Sequence, residues 1–171
     1  LVSLPALPAA LLQLSCDAND LTALPVLPTG LRDLSCSQNV LTALPTLPDS
    51  LKQLTCFNNL LAGMTALPNG LLSLECANNP IGVLPTLPDS LRFLYAANND
   101  LLALPMLPDS LTTLYCFNNQ LTGLPALPSV LTLLNCNQNQ LTALPALPDG
   151  LQFLLCHANP IDCLPLLPNS V

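Results

Sequence analysis

The sequence repeats itself every 20 residues along its whole length, without an insertion or a deletion. The unit is L-x-x-L-x-C-x-x-N-x-L-T-x-L-P-x-L-P-x-x, and only Ala96 interrupts the cysteine column. In the first full unit these places are held by Leu14, Cys16 and Asn19. A unit this short cannot bury an apolar face alone, so consecutive units must stack. We therefore predict a single domain over residues 1–171, with about eight repeats and a partial repeat at either end.

Each unit is expected to contain one short strand and one extended return. Side chains alternate between the two faces of a strand, so Leu14 and Cys16 point to the core while Gln13, Ser15 and Asp17 point to solvent. The return carries two prolines, which fix φ near about −65° and prevent α-helix. The spacing is typical of leucine-rich repeats. We predict a right-handed solenoid with a parallel β-sheet on its concave face, polyproline-II-like convex returns and almost no α-helix.

Charge and hydropathy narrow the classes of partner. Only 8% of the 171 residues are charged, and 3 Lys and Arg stand against 10 Asp and Glu, which gives a net charge of −7. This balance argues against nucleic-acid phosphates as the main partner and against an anionic membrane surface. Proline interrupts every apolar stretch, so no segment is long enough to cross a bilayer. We expect neither a nucleic acid nor a membrane as partner.

The asparagine and cysteine columns are interpreted as structural. An unpaired buried backbone group costs about 1–3 kcal/mol, so we expect each Asn amide to pair with the turn after its strand and with the next unit. A straight ladder of thiols does not converge on a tetrahedral metal, and in-register neighbours do not easily adopt disulfide geometry. The cysteines are predicted to fill the core as free thiols, which fits a reducing compartment. Cys163 lies outside the column and is expected to be more exposed.

No set of residues suggests catalysis or a cofactor. His157 is the only histidine, and its place in the unit puts it on the concave face. Asp49, Asp89, Asp109 and Asp149 recur before the strand, where Asp favours turns. The weaker alternative is that this aspartate column binds calcium. One carboxylate per unit supplies too few oxygen ligands for that ion. The sequence predicts a non-catalytic protein without cofactor or metal.

The aromatic side chains give the candidate binding site. All six fall at solvent-facing places of the predicted sheet, and none replaces a core leucine. The early half of this face is polar and the later half is largely apolar, and exposed apolar patches mark interaction sites. The predicted partner-binding residues are Phe57, Phe93, Tyr95, Tyr115, Phe117, Leu133, Phe153 and Leu155.

Four of these residues fall on two adjacent strands and are expected to form one surface, the aromatic patch. It comprises Phe93, Tyr95, Tyr115 and Phe117. Three basic side chains share one place at the start of the strand and are expected to line a rim: Arg32, Lys52 and Arg92.

The unit resembles the short bacterial leucine-rich repeat, in particular the repeat domains of type III secreted effectors of the IpaH, SspH, SlrP and YopM kind. The stretches 19–28, NDLTALPVLP, and 139–148, NQLTALPALP, carry this resemblance, which spans the chain. The resemblance implies a bacterial recognition module that binds a host cytosolic protein, with secretion into the host cytosol and reduced thiols.

Two alternatives remain open for the function. The first is a structural or self-assembling array, natural or engineered, that has no dedicated ligand and associates through the ends of the solenoid. The second follows from the family resemblance, because in its ligase members the repeats select the substrate or shield the catalytic domain. The chain would then be the recognition or regulatory half of a ubiquitin ligase whose catalytic domain lies outside it.

Overall fold

The computed structural model describes residues 1–166, and the last five residues of the domain predicted over 1–171 lie outside this range. Within the described range, eight strands form one parallel sheet in sequence order. The strands are β1 Gln13–Ser15, β2 Asp33–Ser35, β3 Gln53–Thr55, β4 Ser73–Glu75, β5 Phe93–Tyr95, β6 Thr113–Tyr115, β7 Leu133–Asn135 and β8 Phe153–Leu155.

All seven strand pairs of this sheet keep the same register. Each residue lies opposite the residue 20 places later, as Leu34 lies opposite Leu54 and Tyr95 lies opposite Tyr115. Each place in the repeat therefore becomes a straight column of side chains across the sheet. On the concave face, the cross-strand neighbours of any side chain are therefore the residues 20 places before and 20 places after it in the sequence.

The core consists of stacked leucine and cysteine columns. Leu54, Cys56, Leu114 and Cys116 are fully buried, and so are most of their counterparts in other repeats. Leucines of the proline-containing returns close the core from the other side. Residues 1–166 contain no α-helix, and the returns are extended. The structure confirms the predicted leucine-rich-repeat solenoid with its parallel sheet.

A tight turn precedes each strand and ties it to the repeat before. The carbonyl of Pro48 accepts a hydrogen bond from the Leu51 N–H at 3.0 Å, and Asp49 and Ser50 occupy the turn between them. The Ser50 hydroxyl donates to the Leu31 carbonyl of the preceding repeat at 2.6 Å. The turn role predicted for the aspartate column is confirmed.

The asparagine column joins consecutive repeats through their backbones. The Nδ2 atom of Asn139 lies 3.1 Å from the carbonyl oxygens of Cys136 and Asn137, and 3.0 Å from that of Cys116 in the preceding repeat. Its Oδ1 atom accepts a hydrogen bond from the Leu121 N–H at 3.0 Å. The predicted pairing with the turn is confirmed. The predicted direction was wrong, because the groups beside the amide belong to the preceding repeat and not to the next.

The residue before each ladder asparagine adopts a left-handed backbone conformation, with φ between 52° and 57°. This region costs an ordinary L-residue about 1–2 kcal/mol, and Asn tolerates it best. Four of these residues are asparagines. The other four are not, yet they adopt the same conformation: Ala18, Gln38, Gln138 and Ala158. The ladder hydrogen bonds that follow therefore determine this conformation, whatever side chain stands there.

The ladder departs from its pattern where the fourth repeat meets the fifth. The Gly82 N–H donates to the Asn99 carbonyl at 2.8 Å, and the Oδ1 atom of Asn99 is buried without a partner in the described residues. Gly82 has φ of 67° and Asp100 has φ of 56°. Glycine at position 82 makes this local arrangement accessible because it has no Cβ.

The ladder makes a prediction about stability. Replacing Asn139 by Ala should lower the free energy of unfolding by at least about 3 kcal/mol, because several buried backbone groups lose their partners at about 1–3 kcal/mol each. The measurement is urea denaturation followed by circular dichroism.

The adjacent residue offers a matched control. Gln138 is exposed and left-handed, and alanine already adopts this conformation at Ala18 and Ala158. Gln138→Ala should therefore change stability by no more than about 0.5 kcal/mol. Equal effects of the two substitutions would contradict the role assigned to the ladder.

Candidate functional site

Polar side chains of the first two repeats bind one another on the concave face. Gln13 Nε2 donates to Asp33 Oδ2 at 2.6 Å. The hydroxyls of Ser15 and Ser35 donate to the carboxylate of Asp17 at 2.9 Å and 2.8 Å. Because these groups bind one another, the first two strands offer a partner few free donors or acceptors.

The aromatic patch is built on the stacked pair of Tyr95 and Tyr115. These residues are register neighbours, and their ring centroids lie 5.1 Å apart with an interplanar angle of 16°. Phe93 begins the strand that Tyr95 ends and is 40% exposed. Phe117 follows the strand of Tyr115 and is partly buried. The structure thus joins the two tyrosines directly and places one phenylalanine on the same repeat as each of them.

The other four predicted partner-binding residues lie on both sides of the patch. Phe57 lies on the N-terminal side and is partly buried, as is Leu133 on the C-terminal side. Phe153 is 57% exposed, and Leu155 at the end of the same strand is also exposed. The tyrosine pair is the one aromatic ring contact found in the described part of the chain.

Backbone N–H groups beside the patch lack the side-chain acceptor that the polar end supplies. At the polar end, the Oδ1 atom of Asp17 accepts a hydrogen bond from the Ser37 N–H at 2.6 Å. Beside the patch, the place of Asp17 is held by Ala77 and Ala97, which carry no side-chain oxygen. Consequently the N–H groups of Ala97 and Phe117 have no acceptor among residues 1–166. Ala97 is itself buried, and Phe117 is partly buried.

Glu75 is an ionisable group on the strand beside the patch. It lies directly opposite Tyr95 in the register, and its burial raises the pKa of the carboxyl group. Burial, followed by the charges of Glu75 and Tyr115, raises the pKa of Tyr95. The Tyr95 phenol is therefore neutral at physiological pH and presents a ring with a hydroxyl donor.

The remaining candidates lie at the surface. The predicted rim residues Arg32, Lys52 and Arg92 are exposed, and the Nζ atom of Lys52 donates to the Gly70 carbonyl at 3.2 Å. His157 is exposed as well. Among residues 1–166, no three His, Cys, Asp or Glu side chains converge as a metal site would require. The described part of the chain also has no helix of the length and hydropathy needed to span a membrane.

The cysteine column is a buried ladder of thiols. All eight cysteines are free; those from Cys16 to Cys136 are buried, Cys156 is partly buried and Cys163 is exposed. Burial is the main cause that raises the pKa of Cys76 and of Cys136 to about 12. Because the thiolate is the nucleophile and the metal ligand, these neutral thiols act as core side chains. The predicted exposure of Cys163 is confirmed.

Thiol titration tests this description of the column. In denaturant without reductant, a thiol reagent at pH 8 should react with all eight cysteines. In the native protein it should react rapidly with Cys163 and more slowly with Cys156, while the other six are protected by burial. Cys163→Ser should abolish the rapid phase. A count below eight in denaturant would reveal disulfides and contradict the free-thiol ladder.

Comparisons with known proteins agree with this architecture. The family described as leucine-rich repeats (2 copies) matches residues 109–149. YopM from Yersinia enterocolitica WA-314 is 39% identical over 99% of the chain, with a TM-score of 0.98, and the match covers 38% of that protein. No curated protein matches the chain.

Two further solved structures are similar over nearly the whole chain. YopM from Yersinia pestis, described as a leucine-rich effector protein, is 33% identical with a TM-score of 0.66, and the match covers 100% of this chain and 67% of that one. The leucine-rich-repeat domain of a Shigella effector is 31% identical with a TM-score of 0.70 over 93% of this chain and 66% of that one. The chain therefore spans between 38% and 67% of the length of these three relatives.

Proposed function

Because the chain belongs to the leucine-rich-repeat proteins of the bacterial effector type, we propose that it is a non-catalytic module that binds a protein or peptide on its concave face. The observation that carries this proposal is the stacked Tyr95–Tyr115 pair on a solvent-facing column of the sheet. The proposed contact residues extend from this pair along both sides of it: Phe57, Phe93, Tyr95, Tyr115, Phe117, Leu133, Phe153 and Leu155.

The physical argument concerns rigidity as much as apolar area. Tyrosine has few rotatable bonds, and the stack holds both rings in one arrangement before a partner arrives. Ordering flexible side chains costs about 0.5–1.5 kcal/mol each on binding, so a preformed stack loses less free energy. Aromatic side chains also dominate the energetics of protein interfaces. The N–H group of Phe117, which has no acceptor among residues 1–166, offers a polar contact beside the apolar ones.

The proposed partner is a cytosolic protein of a host cell. Two of the similar structures are described as effectors, and all three come from Yersinia or Shigella. The free thiols of the core fit a reducing compartment. This chain would then act after delivery from the bacterium, with its concave face as the recognition surface.

A paired pull-down from eukaryotic cytosolic lysate tests the proposal. The first bait is the unaltered chain, and the second carries Tyr95→Ala, Tyr115→Ala and Phe117→Ala. We expect at least one protein to be retained by the first bait and lost from the second, because truncating central aromatic residues typically costs about 2 kcal/mol or more each in binding. Circular dichroism verifies that both baits are folded.

A third bait controls for the general loss of exposed apolar side chains. It carries Val26→Ala, Val83→Ala and Met106→Ala, three substitutions at highly exposed positions of the return segments. This bait should retain the same protein as the unaltered chain. If the patch variant and the unaltered chain retain identical proteins, the concave face is not the binding surface. In that case, a mass that rises with concentration in light scattering would favour the self-assembling array.

A further inference from the structure

We propose that the concave face accepts an arginine side chain of the partner, held between the carboxylate of Glu75 and the ring of Tyr95. This inference rests on the proposed function, because it specifies the chemistry that the same surface selects. It is carried by an unpaired carboxylate, by the orientation of the tyrosine stack and by the small side chains of the neighbouring column.

Glu75 is a carboxylate without a counter-charge. Its register neighbours are Thr55 and Tyr95, and its side-chain carboxylate makes no hydrogen bond or ion pair within the described residues. It is already partly buried, and this burial disfavours its charged form. A partner that covered the face with uncharged groups would desolvate the carboxylate further without compensation. A cation placed at this point provides that compensation.

The tyrosine stack turns one ring face toward Glu75. Tyr115 covers the face of Tyr95 that points to β6, because the two rings are nearly parallel at 5.1 Å. The opposite face of Tyr95 therefore points toward β4, where Glu75 lies. The face of an aromatic ring attracts a cation that lies within about 6 Å of its centroid. Guanidinium satisfies both neighbours best, since it stacks on rings and binds carboxylates in a bidentate manner.

The adjacent column carries small side chains beside Glu75. At the second place after each strand, Ala77 and Ala97 stand between Phe57 and Phe117. The two phenylalanines are three strand spacings apart, which is about 14 Å. Ser73, two residues before Glu75 on the same strand, is also small. The carboxylate thus lies beside two alanines, and the places on either side of them in the column are held by aromatic residues.

The charge of the chain favours a basic partner. The protein has a net charge of −7. Its own basic side chains all lie in the rim column, and Lys52 is engaged with the Gly70 carbonyl. None of them compensates Glu75, whose pKa is shifted by burial alone. Attraction between the acidic chain and a basic segment therefore adds to the local contacts.

Selection from a phage-displayed library of random peptides on the unaltered chain tests the inference. Peptides whose binding is lost with Tyr115→Ala are kept, and we expect arginine to be enriched among them next to apolar residues. Replacing that arginine by citrulline, its uncharged isostere, should weaken binding about tenfold, the size expected for a bond between charged groups. Glu75→Gln should weaken the arginine peptide to the same extent and leave the citrulline peptide unaffected.

Asp33→Asn provides the matched control. Asp33 lies on the same face but is bound to Gln13, so losing its charge should change binding less than twofold. An equal loss in both variants would indicate general attraction to an acidic surface and overturn the Glu75 site. Patch-dependent peptides without arginine enrichment would overturn the inference and leave the proposed function intact. A selection that yields no patch-dependent peptide would overturn both.

Discussion

The hydrogen bonds of the asparagine ladder are the interaction on which the rest of the structure depends. Each repeat contributes a strand of only three residues, which is too short to hold its register alone. A ladder amide such as that of Asn59 bonds the carbonyls of Cys56 and Cys36, and its Oδ1 atom accepts the N–H of Leu41. One side chain therefore fixes both the turn of its own repeat and the offset from the repeat before.

Because of this fixed offset, the residue type at each place of the repeat determines one column of side chains on the surface. Because the offset is always 20 residues, side chains at equal places become neighbours on the concave face without any further specification. Tyr95 and Tyr115 stack for this reason, and Glu75 lies beside Tyr95 for the same reason. The fold leaves the concave columns free to vary, so their side chains can be changed without altering the core.

The sequence predicts most of this architecture because the repeat is regular. The strands, the buried columns, the turn at Asp49 and the contact between Tyr95 and Tyr115 all follow from equal spacing. The spacing does not predict whether each ladder asparagine bonds the preceding or the following repeat, because both arrangements are compatible with it. The altered hydrogen bonds at Gly82 and Asn99 were also missed. The deviation of Gly82 and Ala96 from the repeat was the available signal.

The candidate site is predicted less completely than the fold. Hydrophobicity alone points to the aromatic residues but not to Glu75, which is one carboxylate among ten acidic residues. Its significance comes from its partial burial and from its place opposite Tyr95. Likewise, nothing about alanine as a residue type predicts a role for Ala77 and Ala97. They matter because the side chain of Asp17 supplies a hydrogen-bond acceptor at the equivalent place.

Site-specific photocrosslinking tests most directly whether the concave face recognises the partner. A benzophenone side chain placed at Thr113, the register neighbour of Phe93, should crosslink to the bound protein. The same group at Met106, which is 87% exposed on a return segment, should not. Crosslinks from position 106 without any from position 113 would contradict the account and move recognition to the convex side.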